Sequence, residues 1–195
     1  PYTTLFRSVK EEYGIDMYAI GPQNELAFRQ PYDSCVYTPE EYAALLPIIG
    51  EEFEKAGLET KIFGPEDMTK HLGRTMSYIE AVQDDPAAAA ALDIIATHGY
   101  SDGIESTGSI EESSAFWAAI HEYGKPHWMT ETGPQAADNR WVDGEPDGKT
   151  ISYNKNGEPQ GLEAGAMSAV GGRLHYAMVY GNTSAWIFWQ ITSAQ

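Results

Sequence analysis

The stretch "VKEEYGIDMYAIGPQNE", residues 9–25, decides the fold because it holds one complete helix-to-strand unit. A charged run typical of a helix end leads to Gly14, and an apolar run then finishes on Glu25. Glycine directly after a helix is the expected C-terminal cap, since glycine adopts positive φ without a steric penalty. Two later stretches repeat this plan: residues 49–67 through Gly57, and residues 116–131 through Gly124.

Polar residues close each apolar, strand-like run along the chain. They are Glu25, Glu66, His98, Glu131 and Gln190, and all but the last follow one another at about the length of one βα unit. Strands that alternate with helices predict a parallel sheet whose strands are buried on both faces.

The sequence also predicts where three helices begin. Each start has a capping side chain: Thr38 before Pro39, with a glutamate placed for a capping box; Asp85 before Pro86; and Ser109 with Glu112. Pro47 lies inside a helical pattern and is predicted to kink or divide that helix.

Five such units suit two α/β folds, a doubly wound sheet or part of a barrel, because a complete (β/α)8 barrel takes about 250 residues. A doubly wound nucleotide site would normally show a glycine-rich first turn, and neither GxGxxG nor GxxxxGK[ST] occurs. Acids and aromatic residues at strand ends favour a barrel, whose active site lies at that rim. We therefore predict the C-terminal part of a (β/α)8 TIM barrel, truncated, with parallel strands alternating with helices.

Composition argues against several classes of function. The 195 residues are 42% hydrophobic and 12% aromatic, as in globular proteins. The net charge of −17 argues against nucleic acid and anionic membrane surfaces as partners, since both need a basic patch. A single cysteine, Cys35, excludes an intrachain disulfide, and no apolar run approaches the roughly 18 residues of a membrane span. No cofactor and no obligate protein partner are indicated.

Residues 1–8, "PYTTLFRS", read as the in-frame translation of a sequencing adapter. We hypothesise that they are a cloning or assembly scar and that residues 9–195 form a partial TIM-barrel catalytic domain. An incomplete barrel exposes two sheet edges, so we expect the isolated chain to be unstable and inactive.

Glu25 and Glu131 occupy corresponding positions at the ends of two predicted strands. In a closed barrel such residues point into one bowl, where two carboxylates can cleave a glycosidic bond. One protonates the leaving oxygen, while the other attacks the anomeric carbon or activates water. Alternatively, each glutamate is an exposed residue of the rim.

Four motifs carry a resemblance to a known family. Asn24-Glu25 after a strand, with "WMTETG" at residues 128–133, resembles the retaining glycoside hydrolases of clan A. Together with "HGY" at 98–100 and "AWIFWQ" at 185–190, these motifs are most similar to glycoside hydrolase family 30. The resemblance covers residues 9–195, from the helix before the fourth barrel strand to the eighth strand.

The resemblance implies a role for each matching residue. Glu25 would be the general acid/base and Glu131 the nucleophile, while Asn24 would hold the sugar 2-hydroxyl. His98 or Tyr100 would border the nucleophile. The implied substrate is a β-linked oligo- or polysaccharide, and the implied setting is secreted or periplasmic. The family often has proline at the position of Leu26, so the turn after Glu25 is less fixed here.

Two tryptophans are further candidates for sugar binding. Trp189 would line the bowl floor or stack under a sugar ring, although alternation along the last strand makes either Trp186 or Trp189 a core residue facing a helix. Trp141 lies in a long polar loop from Thr132 to about Gly161, where its ring would be a sugar platform or would pin the loop.

Rival chemistries have weaker signals. His98, Asp102 and Glu131 could ligate a metal, but the sequence has no HxH pair and no HExxH helix, so no metal is predicted. No GxSxG nucleophile elbow occurs. Two readings stay open: a sugar-binding barrel without catalysis, and a glycosidase of another clan A family, such as family 5.

Overall fold

The computed structural model describes residues 2–29, 34–68, 72–99, 117–132, 141–142, 145–146, 152–153, 159–160 and 173–189. The chain divides into two compact units. The first comprises Pro1–Asp67 and Gly73–Ala96, and the second comprises Met68–Leu72 and Thr97–Gln195.

Helices and strands alternate through the first unit. In chain order they are α1 (Tyr2–Tyr13), β1 (Ala19–Ile20), α2 (Pro39–Ala56), β2 (Lys61–Met68), α3 (Leu72–Asp84), α4 (Pro86–Ala91) and β3 (Ile94–His98). The last residue of β2, the first of α3 and the last two of β3 belong to the second unit. Helix α1 includes part of the segment 1–8, and the hypothesis of a scar there stays a prediction.

The predicted helix ends of this unit are confirmed. The Thr38 side chain accepts a hydrogen bond from the N–H of Glu41, whose carboxylate accepts one from the N–H of Thr38 in return. Gly14 and Gly57 have φ of 68° and 66°, as C-terminal caps require. Helix α2 runs unbroken through Pro47, so the predicted division does not occur. Buried side chains on both sides of the proline hold the helix together.

Strand order in the first unit is β1-β2-β3. β1 and β2 are parallel, with Ala19 opposite Lys61. β1 ends at Ile20, so the prediction that this strand continues to Glu25 is wrong. Gly21 and Pro22 end it, because glycine weakens a strand and proline has no N–H to donate to the ladder.

The core of the first unit lies between the strands and helices α2 and α3. Its fully buried side chains include Tyr42, Leu46, Ile79, Ile94 and Ile95. Every residue of β3 is buried, as predicted for a strand covered on both faces.

The second unit has strand order β3-β4-β9. After a helical segment at residues 117–121, its elements are β4 (His127–Thr132), β5 (Trp141–Val142), β6 (Glu145–Pro146), β7 (Ser152–Tyr153), β8 (Pro159–Gln160), α5 (Arg173–Val179) and β9 (Ala185–Phe188). β4 and β9 are parallel, with a register shift between Met129 and Thr132.

The segment predicted as one long loop contains two short antiparallel pairs, β5 with β6 and β7 with β8. The C-cap predicted at Gly124 is present, with φ of 65°. Ser109 and Glu112, the predicted cap of the preceding helix, lie outside the described residues.

Candidate active site

Glu25, the predicted acid/base, lies in a turn five residues beyond the end of β1. Its backbone has φ of +45°, in the left-handed region that few residues other than glycine adopt. The N–H of Glu25 donates to the carbonyl oxygen of Glu66 on β2 (3.2 Å), and its own carbonyl accepts from Phe28 (2.8 Å). Glu25 is buried, with 5% of its surface exposed, whereas Asn24 beside it is exposed.

Gly21 allows the chain to pass directly against the side chains of Glu66 and Phe63. A Cβ at this position would overlap Oε2 of Glu66. Glu66 itself is buried and has φ of +57°. Glu66 therefore contacts the segment from Gly21 to Glu25 twice, through its carboxylate and through its carbonyl.

Leu26 is fully buried. The family that the sequence motifs resemble often has proline at this position. The carbonyl of Leu26 accepts a hydrogen bond from the N–H of Tyr37 (3.0 Å), and the carbonyl of Tyr37 accepts one from the hydroxyl of Tyr78 on α3 (2.6 Å). Burial and these hydrogen bonds fix the turn after Glu25 without a proline.

A buried carboxylate follows Glu66 at the end of β2. Asp67 is fully buried and accepts hydrogen bonds from Nε and Nη2 of Arg74 and from the hydroxyl of Thr75 (3.1 Å). The hydrogen bond to Asp67 is the main cause that raises the pKa of Arg74, and burial opposes it. Glu66 was predicted from the sequence only as a strand end, and Arg74 was not predicted, because no recognisable pattern surrounds it.

Glu131, the predicted nucleophile, lies near the C-terminal end of β4 in the second unit. Its side chain is 17% exposed, and Oε2 lies 3.7 Å from Nε2 of His98, which is fully buried at the end of β3. The carbonyl of Glu131 accepts a hydrogen bond from the N–H of Gly99 (2.8 Å). The structure thus places His98 beside Glu131, and their roles stay predictions.

Gly99 allows β3 to end against the side chains of β4. A Cβ at Gly99 would lie 2.6 Å from Sδ of Met129 and 3.3 Å from Oγ1 of Thr132. The Thr132 hydroxyl instead donates to the carbonyl of Gly99 (2.9 Å). The two strand ends that carry His98 and Glu131 are therefore held together by side-chain and backbone hydrogen bonds.

A buried histidine at the start of β4 supports the same strand. Nε2 of His127 lies 2.9 Å from Oγ1 of Thr97, and Nδ1 lies 3.0 Å from Oγ1 of Thr183. The ring of Trp117 packs edge-on against it, with centroids 4.8 Å apart. Burial, and secondarily the nearby His121, lower the pKa of His127 to about 3, so the ring is neutral at neutral pH. This network was missed because its members are far apart in the sequence.

Trp189 follows β9, and its N–H donates to the carbonyl of Thr132 (2.6 Å), next to Glu131 in the chain. Trp189 and Ile187 are 45% and 49% exposed, whereas Trp186 and Phe188 are less exposed and their rings pack together. The alternation predicted for this strand is therefore observed.

Several candidates lie outside the described side chains. Tyr100 and Asp102 lie outside the described residues, and only the backbone of Trp141 is described. Among the described residues of the second unit, His98 at the end of β3 and Glu131 near the end of β4 are the groups near this site that could ligate a metal. The thiol of Cys35 in the first unit is exposed and free.

No protein-family model matches the sequence, and a comparison with curated proteins gave no match. Among solved structures, the chain is similar to a glycoside hydrolase family 30 subfamily 8 xylanase from Clostridium acetobutylicum, with 21% identity and a TM-score of 0.63 over 99% of this chain and 39% of the xylanase. The chain therefore has the fold of part of a family 30 barrel. The predicted C-terminal part of a (β/α)8 barrel is thereby confirmed as the fold, and the doubly wound alternative is wrong.

Two further solved structures agree with this fold. An endo-β-1,6-glucanase is 29% identical over 67% of this chain and 27% of its own length, with a TM-score of 0.55. A conserved exported protein from Bacteroides fragilis is 17% identical, with a TM-score of 0.69 over 98% of this chain and 41% of its own length. The chain thus spans about two fifths or less of each of these proteins.

Among the helices described by the structure, none has the length and hydrophobicity to cross a membrane.

Proposed function

We propose that a full-length protein carrying this chain is a retaining glycoside hydrolase that cleaves β-linked glycans by double displacement. Glu131 attacks the anomeric carbon, and Glu25 protonates the leaving oxygen and then activates the water that hydrolyses the glycosyl-enzyme. The proposal is supported by the fold, which is similar to that of a xylanase and an endo-β-1,6-glucanase.

The main support for the proposal is the environment of the Glu131 carboxylate. A nucleophile must be accessible to the substrate, and the Glu131 carboxylate is 17% exposed beside the buried imidazole of His98. It lies near the C-terminal end of a parallel strand, where the active sites of (β/α)8 barrels are found.

Glu25 suits the role of general acid/base because the surrounding residues hold it in a defined position. Its left-handed backbone and 5% exposure are features of a residue fixed by its surroundings. The exposed Asn24 beside it is proposed to hold the sugar 2-hydroxyl.

Trp189 is the proposed stacking platform for a sugar ring. It is 45% exposed, and its backbone is bonded to Thr132, next to Glu131. We expect Trp189→Ala to raise KM for oligosaccharides more than it lowers kcat, because a stacking ring contributes binding that is shared by ground and transition states. His98 and Tyr100 are proposed to border the nucleophile, and Trp141 to contact more distant sugar units.

The test uses the full-length protein with β-1,4-xylo- and β-1,6-gluco-oligosaccharides as the first probes. Glu131→Ala and Glu25→Ala should each lose activity by a factor of about 100 or more. With a 2,4-dinitrophenyl β-glycoside, whose leaving group needs no protonation, azide should restore turnover in both variants, giving a β-glycosyl azide with Glu25→Ala and an α-glycosyl azide with Glu131→Ala. In the wild type, NMR of the first product should show the retained anomer.

The matched control is Glu122→Ala, which removes an exposed glutamate from the same unit as Glu131. It should leave turnover within about twofold of the wild type, since exposed substitutions away from a site have small effects. Near wild-type turnover in either catalytic variant, or an inverted first product, would contradict the two-glutamate mechanism.

A sugar-binding barrel without catalysis is the second candidate, and the exposed Trp189 is the observation that favours it. This candidate predicts saturable glycan binding by the full-length protein, abolished by Trp189→Ala, with no turnover and no effect of Glu131→Ala on binding. A secreted or periplasmic location is proposed because the substrate is a polymer and a similar structure is described as an exported protein.

A further inference from the structure

Two neighbouring glutamates in the first unit share an unusual backbone conformation. Glu25 has φ of +45° and Glu66 has φ of +57°, and the N–H of Glu25 donates to the carbonyl of Glu66 (3.2 Å). The left-handed conformation costs a residue with a side chain about 1–2 kcal/mol. Such residues persist where the surrounding structure holds them in place. The position of Glu25 therefore depends on how firmly Glu66 is held.

Glu66 is held through the residue that follows it. Asp67 is fully buried, and its carboxylate receives the planar fork of Arg74, through Nε (2.8 Å) and Nη2, together with the hydroxyl of Thr75. A two-point guanidinium–carboxylate contact fixes orientation as well as distance. Arg74 and Thr75 lie in the first turns of α3, so the end of β2 is tied to a helix.

The contact between Glu66 and Gly21 links the anchored end of β2 to the segment that holds Glu25. The Glu66 carboxylate lies where a Cβ of Gly21 would be, so this side chain packs directly against the segment before Glu25. Its start is held against the Glu66 side chain and its end by the Glu66 carbonyl. The charge of Glu25 is also a minor cause that raises the pKa of Arg74, after the hydrogen bond to Asp67.

From these contacts we infer that Arg74, with Asp67 and Thr75, is a positioning residue for proton transfer by Glu25. The inference rests on the proposed function of Glu25. The Asp67–Arg74–Thr75 clamp fixes the end of β2, the Glu66 carbonyl fixes the left-handed turn, and the turn aims the Glu25 carboxyl at the leaving oxygen. Loss of the clamp therefore impairs protonation of the leaving group.

The experiment measures kcat/KM of the full-length protein on two aryl β-glycosides of the same sugar. A phenyl glycoside needs protonation by the acid as it leaves, whereas a 2,4-dinitrophenyl glycoside leaves as a stable anion without it. Arg74→Met should lose about 10–100-fold on the phenyl glycoside and less than about threefold on the dinitrophenyl glycoside. Arg74→Lys should recover part of the loss.

Thr75→Val is a second variant, which removes one hydrogen bond to Asp67 at nearly constant size, and it should shift activity in the same direction by a smaller factor. Lys55→Met is the matched control, because it breaks an exposed ion pair of the same unit with Glu52. It should change both substrates by less than about twofold. A nearly unchanged dinitrophenyl rate also shows that each variant is folded.

Three outcomes would overturn the inference, and the third is distinct from the first two. Equal losses on both substrates in Arg74→Met, Arg74→Lys and Thr75→Val, or no loss in any of them, would show that the clamp has no part in proton transfer while leaving Glu25 as the acid. Equal losses on both substrates in Glu25→Ala would overturn the proposed function itself, and the inference with it.

Discussion

Acid should destabilise this protein through one buried histidine. His127 lies between the hydroxyls of Thr97 and Thr183, under the edge of Trp117, and is 1% exposed. The neutral ring donates through one nitrogen and accepts through the other, and both hydroxyls can match it. A proton on the ring would put a charge in this site, which is why burial lowers the pKa of His127 from 6.5 to about 3.

The sign and size of the effect follow from that pKa. Because the folded pKa lies below the unfolded value of 6.5, the unfolded chain binds the extra proton between about pH 6.5 and pH 3. The contribution of neutral His127 to stability is therefore complete above pH 6.5 and is lost as the pH falls. The slope is about 1.4 kcal/mol per pH unit, which amounts to about 3 kcal/mol between pH 7 and pH 4.

The assay is urea unfolding of the full-length protein at pH 7, 6, 5 and 4, followed by tryptophan fluorescence. Carboxylates also contribute to acid unfolding, so the quantity of interest is the difference between wild type and His127→Gln. The glutamine amide can donate and accept hydrogen bonds but does not titrate. His175→Gln, which removes an exposed histidine of α5 in the same unit, is the matched control.

The free energy of unfolding of the wild type should fall about 3 kcal/mol further than that of His127→Gln between pH 7 and pH 4. His175→Gln should follow the wild type. A difference below about 1 kcal/mol between wild type and His127→Gln would refute the argument, because the ring would then be protonated in the folded protein with little cost.

Three further substitutions test the packing that surrounds the candidate site, each read as the change in the free energy of unfolding. Gly99→Ala should cost about 1–3 kcal/mol, because its Cβ would lie 2.6 Å from Sδ of Met129. Combining it with Met129→Ala should reduce the cost of Gly99→Ala, and purely additive effects of the two substitutions would contradict this. Leu26→Ala should cost about 2–5 kcal/mol because the side chain is fully buried, whereas Phe28→Ala, at a side chain 44% exposed, should cost much less; equal costs would mean that Leu26 is not part of the core. Thr38→Ala should cost about 0.5–2 kcal/mol through loss of the capping box. Thr38→Ser keeps the hydroxyl and should recover most of that stability; no recovery would mean that the threonine methyl, and not the hydroxyl, stabilises the helix.

Much of the fold was predictable because its signals are local. The capping box of α2 depends on a side chain and a backbone three residues apart, and the caps at Gly14 and Gly57 depend on one residue each. The burial of β3 on both faces followed from an apolar run without alternation. These features are set by neighbours in the chain, so a pattern in the sequence is sufficient to identify them.

The end of β1 was predicted wrongly for a physical reason. The apolar run and the glutamate suggested one strand up to Glu25, but ladder pairing stops at Ile20 and the chain turns. The turn is stabilised by the carbonyl of Glu66 and by the space at Gly21, and both depend on a strand more than forty residues away. Local propensity cannot encode such a contact.

The sequence by itself determined the alternation of helices with parallel strands, the caps of the helices, and the resemblance that points to Glu25 and Glu131. Only the tertiary structure decided that His98 lies 3.7 Å from Glu131, that Arg74 clamps Asp67, and that His127 is neutral between two threonines. The two groups of features differ in how far apart along the sequence the interacting residues lie. Periodicity and caps act within a few residues, whereas a hydrogen bond, an ion pair and a shifted pKa depend on distances and burial that exist only after distant segments have packed together.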